Sequence, residues 1–308
     1  MKIIVTGGAG FIGSSFINYL LDNIDCDVLC VDKLTYAGSL KNIRHNVSFL
    51  EKDICDVTSE DLGEFDYIVH FAAESHVDNS IKDGLPFIKT NVEGTFNLLE
   101  ISRKNKKLKK FVHISTDEVY GDMGDHFTLN HTATEYDDIK PSSYYSASKA
   151  SSDFLVISAN RTYGINYLIT RTCNNFGEHQ FEEKFLPTIS KNIKNGLPIP
   201  VYGDGKQVRE WIYVNDNVKV IYDLMFDDNV VNTIYNIGSS LRVTNLDIIN
   251  KISDITQKNV IIKHVEDRLG HDKKYGLNCL KLKKYYNEKN GKMPEFLNLF
   301  SYLEKIYK

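Results

Sequence analysis

Apolar positions in the first half of the chain follow two rhythms that alternate. Short β-favouring runs at 2–6, 27–31, 47–51, 67–71 and 111–115 read as buried strands. Between them the spacing turns helical. Phe11, Ile12, Phe16, Ile17, Leu20 and Leu21 share a face, and Pro86 opens a helix striped by Ile88, Val92, Thr95 and Leu99. A longer helical stretch, 145–161, leads into a sixth strand at 167–171. Strand and helix repeated in this order predict an α/β fold with a parallel, doubly wound sheet. Beyond Arg171 the alternation fades. Gly196-Leu197-Pro198-Ile199-Pro200 and Tyr202-Gly203-Asp204-Gly205 punctuate a region expected to be rich in loops. A strand at 233–237 is expected to rejoin the sheet, and 296–307 reads as a closing amphipathic helix.

The first strand opens onto Gly7-Gly8-Ala9-Gly10-Phe11-Ile12-Gly13, directly before the first helix. Glycines there let backbone approach a pyrophosphate, and the helix N-terminus offers it free N–H groups. The spacing Gly7-x-x-Gly10-x-x-Gly13 differs from G-x-G-x-x-G, but its place between strand and helix makes it a dinucleotide signal. The second strand ends in Asp32, nineteen residues after Gly13. A carboxylate there bonds ribose hydroxyls and repels a 2′-phosphate, so NAD is expected rather than NADP. Asp53 and Ile54 close the third strand, where they would meet the adenine edge. Small residues, Ala72 and Ala73, follow the fourth, suited to backbone running beside a cofactor.

The fifth strand carries the candidate chemistry. Thr116, Asp117 and Glu118 stand where it should stop, and ligands in open α/β sheets sit at the carboxyl ends of strands. Side chains alternate along a strand, so both carboxylates reach one ligand only if the strand ends near Thr116. Tyr145 and Lys149 lie four apart on the following helix and share a face. A tyrosine is a poor base at neutral pH, and the ammonium one turn away is expected to lower its pKa.

Composition narrows the classes. Hydrophobic content of 42%, charged content of 25% and net charge −4 fit a globular protein with no general attraction to nucleic acid or anionic membrane. Arg103–Lys110 packs six basic residues into eight positions and is read as a solvated helix end. Five cysteines without Cys-x-x-Cys spacing fit a reducing compartment, with neither a disulfide frame nor a metal site. With no leader pattern and no long apolar span, a cytoplasmic location is expected.

These residues, with "DKLTYAG" at 32–38, "AAESHVD" at 72–78, "YSASKA" at 145–150, Asn174-Asn175, Glu183-Lys184, Pro200-x-Tyr202, Arg209 and "DR-x-GHD" around Arg268 and His271, resemble the extended short-chain dehydrogenase/reductase family. The resemblance runs from Met1 to about Tyr275. Within the family, paired acidic residues like Asp117 and Glu118 are similar to those of 4,6-dehydratases that act on dTDP-glucose. The resemblance implies a Rossmann-like NAD-binding domain over 1–173, rejoined by about 212–238. A smaller nucleotide-sugar domain would comprise 174–211 and 239–308, in a homodimer. It adds Lys33, Leu34, Thr35, Phe71, Thr90 and Asn175 to the NAD contacts. Ser75, Thr116, Asn174, Lys184, Pro200, Tyr202, Arg209, Asn236, Arg268 and His271 would line the substrate site, Lys184, Arg209 and Arg268 as its cations. Tyr145 would take the 4-hydroxyl proton as the C4 hydride passes to NAD, with Thr116 sharing that hydrogen bond and Lys149 tuning the phenolate; Glu118 would take the C5 proton, and Asp117 would protonate the leaving 6-hydroxyl. The same dehydration of UDP-glucose, a related epimerase or decarboxylase, and a silent NAD-binding module are the other readings. Asn79, Tyr144 and Leu269 depart from the family pattern, which has arginine, proline and proline there.

Overall fold

A computed structural model describes residues 1–124 and 132–307. Seven parallel strands form the central sheet: β1 (Lys2–Thr6), β2 (Asp27–Asp32), β3 (Ser48–Glu51), β4 (Tyr67–His70), β5 (Lys110–Thr116), β6 (Tyr167–Thr172) and β10 (Thr233–Ile237). They lie in the order β10-β6-β5-β4-β1-β2-β3. The order reverses between β1 and β4, and a crevice opens there at the carboxyl ends of the strands.

Alternation along the strands makes two cores. Ile3 and Val5 of β1, with Val112 and Ile114 of β5, pack with Phe16, Leu20, Val218 and Ile221 from the helices Phe11–Asn23 and Val214–Phe226. Ile4 and Phe111, pointing the other way, meet Leu98, Leu99 and Val156 from the helices Thr95–Ser102 and Tyr144–Tyr163. Each fully buried aliphatic side chain of this kind contributes about 1.5–3 kcal/mol.

Three expectations need correction. The region after β6 is more regular than its sequence suggests. It holds β7 (Asn174–Phe176), β8 (Ile199–Tyr202) and β9 (Val208–Tyr213), with the helix Phe185–Lys194. β7 and β9 join β11 (Arg242–Thr244) in a three-stranded sheet, and β8 pairs with β12 (Ile262–Val265). Their side chains fill a third core around Phe176, Ile189, Val201, Trp211 and Ile249. Second, the helix after Pro86 is not continuous α-helix. Residues Ile88–Gly94 form π-helical turns, which leave Ile88 exposed and bury Thr90 and Asn91 instead. Third, Lys110 is not solvated. It is a β5 residue whose Nζ donates to the carbonyls of Leu224, Met225 and Asp227, capping the end of a helix. Burial lowers its pKa to about 8. Its neighbours behave as expected, Arg103, Lys107 and Lys109 pairing with Glu100, Glu64 and Asp66. Among the described residues no helix is long and apolar enough to cross a membrane.

Candidate active site

One cleft of about 590 Å³ runs across the carboxyl ends of the sheet strands toward the second lobe. At its inner end the glycine turn is shaped by contact. Gly7 has φ +67°, and a Cβ on it would lie 2.5 Å from the Ala72 nitrogen. A Cβ on Gly13 would lie 2.2 Å from the Gly7 carbonyl. Backbone therefore occupies the space side chains would need, and Gly10 leaves the following helix without a side-chain cap. Phe11 and Ile12 complete the cradle. Asp32 accepts the Ala9 and Leu34 N–H groups at 3.1 and 2.9 Å, which fixes its carboxylate at the cleft wall. Leu34 itself, at φ +48°, serves that turn and does not line the cleft. Lys33, Thr35, Asp53, Ile54, Phe71, Ala73, Thr90 and Asn175 do. Lys33 Nζ lies 3.4 Å from Asp53, 3.5 Å from Glu74 and 3.3 Å from Thr90, joining three strand ends. A dinucleotide fits this glycine cradle, open helix end and anchored carboxylate.

β5 stops at Thr116. The next four residues, Asp117–Tyr120, form a 3₁₀ turn whose first N–H groups include Glu118 N, bonded to Thr116 Oγ1 at 3.3 Å. Thr116, Glu118, Tyr145 and Lys149 line the cleft, and Asp117, 3% exposed, is enclosed beside them. Thr116 Oγ1 donates to Asp117 Oδ1 at 3.2 Å, and the other carboxylate oxygen has no hydrogen-bond partner. Burial first, then the Glu118 charge, holds the Asp117 pKa well above the usual carboxylate range. Burial also raises Glu118, with Arg268 and Arg209 opposing. The pair is thus biased toward one acid and one base.

Tyr145 and Lys149 share a helix face as expected, but the expected pKa effect is reversed. Lys149 Nζ donates to the Ile114 carbonyl at 2.7 Å. Burial, followed by the Glu118 charge, pushes the Tyr145 phenol up, and only the neighbouring Thr116 hydroxyl pulls it down. Lys149 is itself lowered to about 8 by burial, against the pull of Asp153 one turn on. Beneath them Asp153 binds Arg171 at 3.0 Å and lies 3.4 Å from His113, all fully enclosed.

The outer half of the cleft is lined by Ser75, Asn174, Lys184, Pro200, Tyr202, Arg209, Arg268 and His271. Arg209 lies 4.5 Å over the Tyr275 ring and donates to the Asp272 carbonyl. Lys184 donates to Ser75 O, and burial lowers its pKa. His271 lies 2.5 Å from Asp267. Asn236 is not brought to the cleft. Its amide binds Tyr120 and the Ala133 carbonyl beneath the sheet. Among the cleft residues that escaped the sequence reading are Asp78 and Trp211. Asp78 accepts from Tyr202 at 2.8 Å and pairs with Arg268 at 3.2 Å; its place in the "AAESHVD" match was the available signal. Trp211 lines the cleft with a buried, unpartnered Nε1. Being the chain's single tryptophan was its only signal.

Sheet order, glycine cradle and a Tyr-x-x-x-Lys pair beside acidic residues define an enzyme of the extended short-chain dehydrogenase/reductase type, and the chain belongs to the NAD dependent epimerase/dehydratase family, whose pattern matches residues 3–238. It is 41% identical over 312 residues to a dTDP-glucose 4,6-dehydratase of Escherichia coli, covering 92% of this chain and 86% of that one. It is 45% identical over 291 residues to the low-salt glycan biosynthesis protein Agl12 of Haloferax volcanii, covering 92% of each. Among solved structures, DesIV, a dTDP-glucose 4,6-dehydratase from Streptomyces venezuelae with NAD and TYD bound, superposes with TM-score 0.91 at 37% identity, covering 99% of this chain and 95% of that one.

Proposed function

We propose that the protein is an NAD-dependent 4,6-dehydratase that converts dTDP-glucose to its 4-keto-6-deoxy product. The observation that carries this reading is the pair Asp117 and Glu118 at the end of β5, beside Thr116 and Tyr145. The C5 proton of glucose is not acidic until C4 is a ketone. NAD, once held in the glycine cradle, would supply the place where the C4 hydride is kept until it is needed at C6. Tyr145 removes the 4-hydroxyl proton, and Lys149, one turn on along the same helix face and anchored on Ile114 O, stands where it can hold the cofactor's ribose. Glu118 removes the C5 proton, and Asp117, held protonated by burial and the Glu118 charge, gives its proton to the departing 6-hydroxyl. An epimerase needs no acid–base pair of this kind.

NAD would be held by Gly7, Gly10, Gly13, Asp32 and Lys149, and the nucleotide diphosphate by Lys184, Arg209 and Arg268. Residues 1–173 with about 212–238 form the cofactor domain in this reading, and 174–211 with 239–308 the substrate domain. The five free cysteines agree with a cytoplasmic protein. The working unit is a homodimer. Leu85, Ile88 and Phe96 lie exposed beside Tyr144 and Phe154 of the neighbouring helix, an apolar face that a second copy would cover. Phe96→Glu with Phe154→Glu should yield a monomer by analytical ultracentrifugation, and an unchanged mass would remove this face from the interface.

The test of the chemistry is isotopic. From dTDP-glucose deuterated at C4, the label should reappear at C6 of the same molecule, and in heavy water one solvent deuteron should enter C5. Glu118→Gln should still reduce NAD and then stall, roughly 10²–10⁴-fold slower in product. Label retained at C4 would replace the dehydratase with an epimerase. Equal turnover of UDP-glucose would widen the substrate to uridine sugars.

A further inference from the structure

The cofactor half of the cleft has a loop along each side, and the two loops touch across it. The first begins at Asp32, whose carboxylate accepts the Leu34 N–H at 2.9 Å and turns the chain back on itself. Gly38 N–H closes that turn on Thr35 O at 3.1 Å, so near Asp32 that a Cβ on Gly38 would lie 3.2 Å from Oδ1. Thr35, Ala37 and Gly38 accordingly line the cleft, but Tyr36 between them stands 54% exposed and reaches to the far side. The second loop precedes the helix Phe185–Lys194, and its Gln180, Phe181 and Glu183 line the same cleft.

Two contacts join the loops. The Tyr36 hydroxyl donates to Glu183 Oε1 at 2.9 Å, and its ring meets Phe181 nearly edge-on, with centroids 5.2 Å apart and planes at 72°. His76, beyond the end of β4, lies 4.0 Å from the other Glu183 oxygen. Burial, then the hydrogen bond to Glu183, raises the Tyr36 pKa to about 12, so the phenol is protonated and donates at neutral pH. Neither Tyr36 nor Phe181 belongs to the three cores described above, so core packing does not call for the pair. The glycine cradle and Asp32 hold a dinucleotide from the sheet side of the cleft. The contact between the loops is placed to close the other side.

We propose that Tyr36, Phe181 and Glu183 form a clasp across the cofactor half of the cleft that retains NAD from one turnover to the next. The clasp has to part before a dinucleotide can leave, so its contacts slow release without touching the reacting atoms. A tyrosine and a glutamate 147 residues apart thereby act on one rate, from opposite sides of the cleft. The clasp stands on the geometry of the cofactor site and goes beyond the dehydratase reading. That reading gives it a use, because a hydride taken from C4 and owed to C6 is lost if the cofactor leaves in between.

The test is a chase on the NAD-loaded protein. Protein carrying radiolabelled NAD is freed of excess label by rapid gel filtration and mixed with excess unlabelled NAD, and the label retained is followed with time. Tyr36→Ala should lose label on the order of tenfold faster than wild type, the worth of a hydrogen bond to a charged group and an aromatic pair. Tyr36→Phe keeps the ring contact and should fall between the two. Glu183→Ala opens the clasp from the other lobe, leaves the cofactor loop untouched and should also release faster. Combining Tyr36→Phe with Glu183→Ala should add nothing to Glu183→Ala alone, because both break the same bond. A rise of less than about threefold in Tyr36→Ala overturns the clasp. So does a wild-type rate in Glu183→Ala, and so do additive effects in the double variant, which would make the two residues independent. The chase contains no sugar, so its failure leaves the dehydration standing, while deuterium retained at C4 of the sugar would sink the dehydration and leave the clasp.

Discussion

Asp153 sits below Lys149 with no contact to the cleft, yet its carboxylate is shared among charges that have nowhere else to go. Burial pulls its pKa up, but the nearby His113 ring and the Arg171 charge outweigh that and hold it below the usual range. Asp153→Asn would leave the Arg171 guanidinium enclosed without a countercharge, a loss of about 3–5 kcal/mol. It should appear as a lower urea midpoint, and an unchanged midpoint would show that the pair is compensated elsewhere. His113 adds a pH dependence with a definite sign. Burial, then the Lys149 charge, lowers its pKa to about 4, against an unfolded value near 6.5. As pH falls through this window the unfolded chain takes up the proton first, so stability is full above about 6.5 and declines toward 4. Over that interval the loss is roughly 3 kcal/mol. Urea midpoints at pH 7 and 4.5 should differ less in His113→Gln than in wild type. At this scale the sequence displayed the groups that the structure gathers at the end of β5, because strand-end position and i, i+4 spacing are local. The sign of the tyrosine shift was not legible. It depends on depth of burial and on Glu118, twenty-seven residues earlier in the chain, and neither is a property of the tyrosine's own helix.

Among the elements, the legible ones were those with local rhythm. The strands β1 to β6 appear within one or two residues of their expected bounds. β7, β8, β9, β11 and β12 were not legible, for a physical reason. They are three to six residues long, and their partners are far away in sequence, as when Val208–Tyr213 pairs with both Asn174–Phe176 and Arg242–Thr244. No window short enough to show a period contains both partners. The π-helical turns were hidden likewise, since Thr90 and Asn91 are drawn inward by tertiary contacts. Asn91 donates to Ser148 Oγ at 2.8 Å and to Glu74 O at 3.0 Å. The glycines illustrate how one residue type divides by context. Gly164 caps the helix Tyr144–Tyr163 at φ +72° with nothing near its missing side chain, so Gly164→Ala should cost only the left-handed penalty of about 1–2 kcal/mol. Gly7 has a similar φ but would drive its Cβ into the Ala72 backbone. Gly7→Ala should be the more destabilising in urea and should weaken NAD binding by calorimetry. Equal midpoints for the two variants would mean that the turn relaxes freely.

On the scale of the whole molecule, the cofactor half of the cleft was readable because it is assembled from consecutive strand ends. The substrate half was readable only through resemblance, since Lys184, Tyr202, Arg209 and Arg268 converge from separate segments of the second lobe. What joins the halves is a set of ties across the cleft. Tyr36 donates to Glu183, Lys184 to Ser75 O, and Asp78 holds both Tyr202 and Arg268. These ties have a kinetic meaning. In the proposed function, Arg268 and Lys184 would meet an arriving diphosphate with part of their hydrogen bonding already committed to the opposite wall. Capture would then be an exchange of partners, in which a bond to Asp78 or Ser75 is surrendered for one to phosphate. The net affinity is a difference between similar contacts rather than the full attraction of loose cations. Such a site arrives at its ligand in its working shape and lets go of it readily, because the vacated protein partners are waiting to take the cations back.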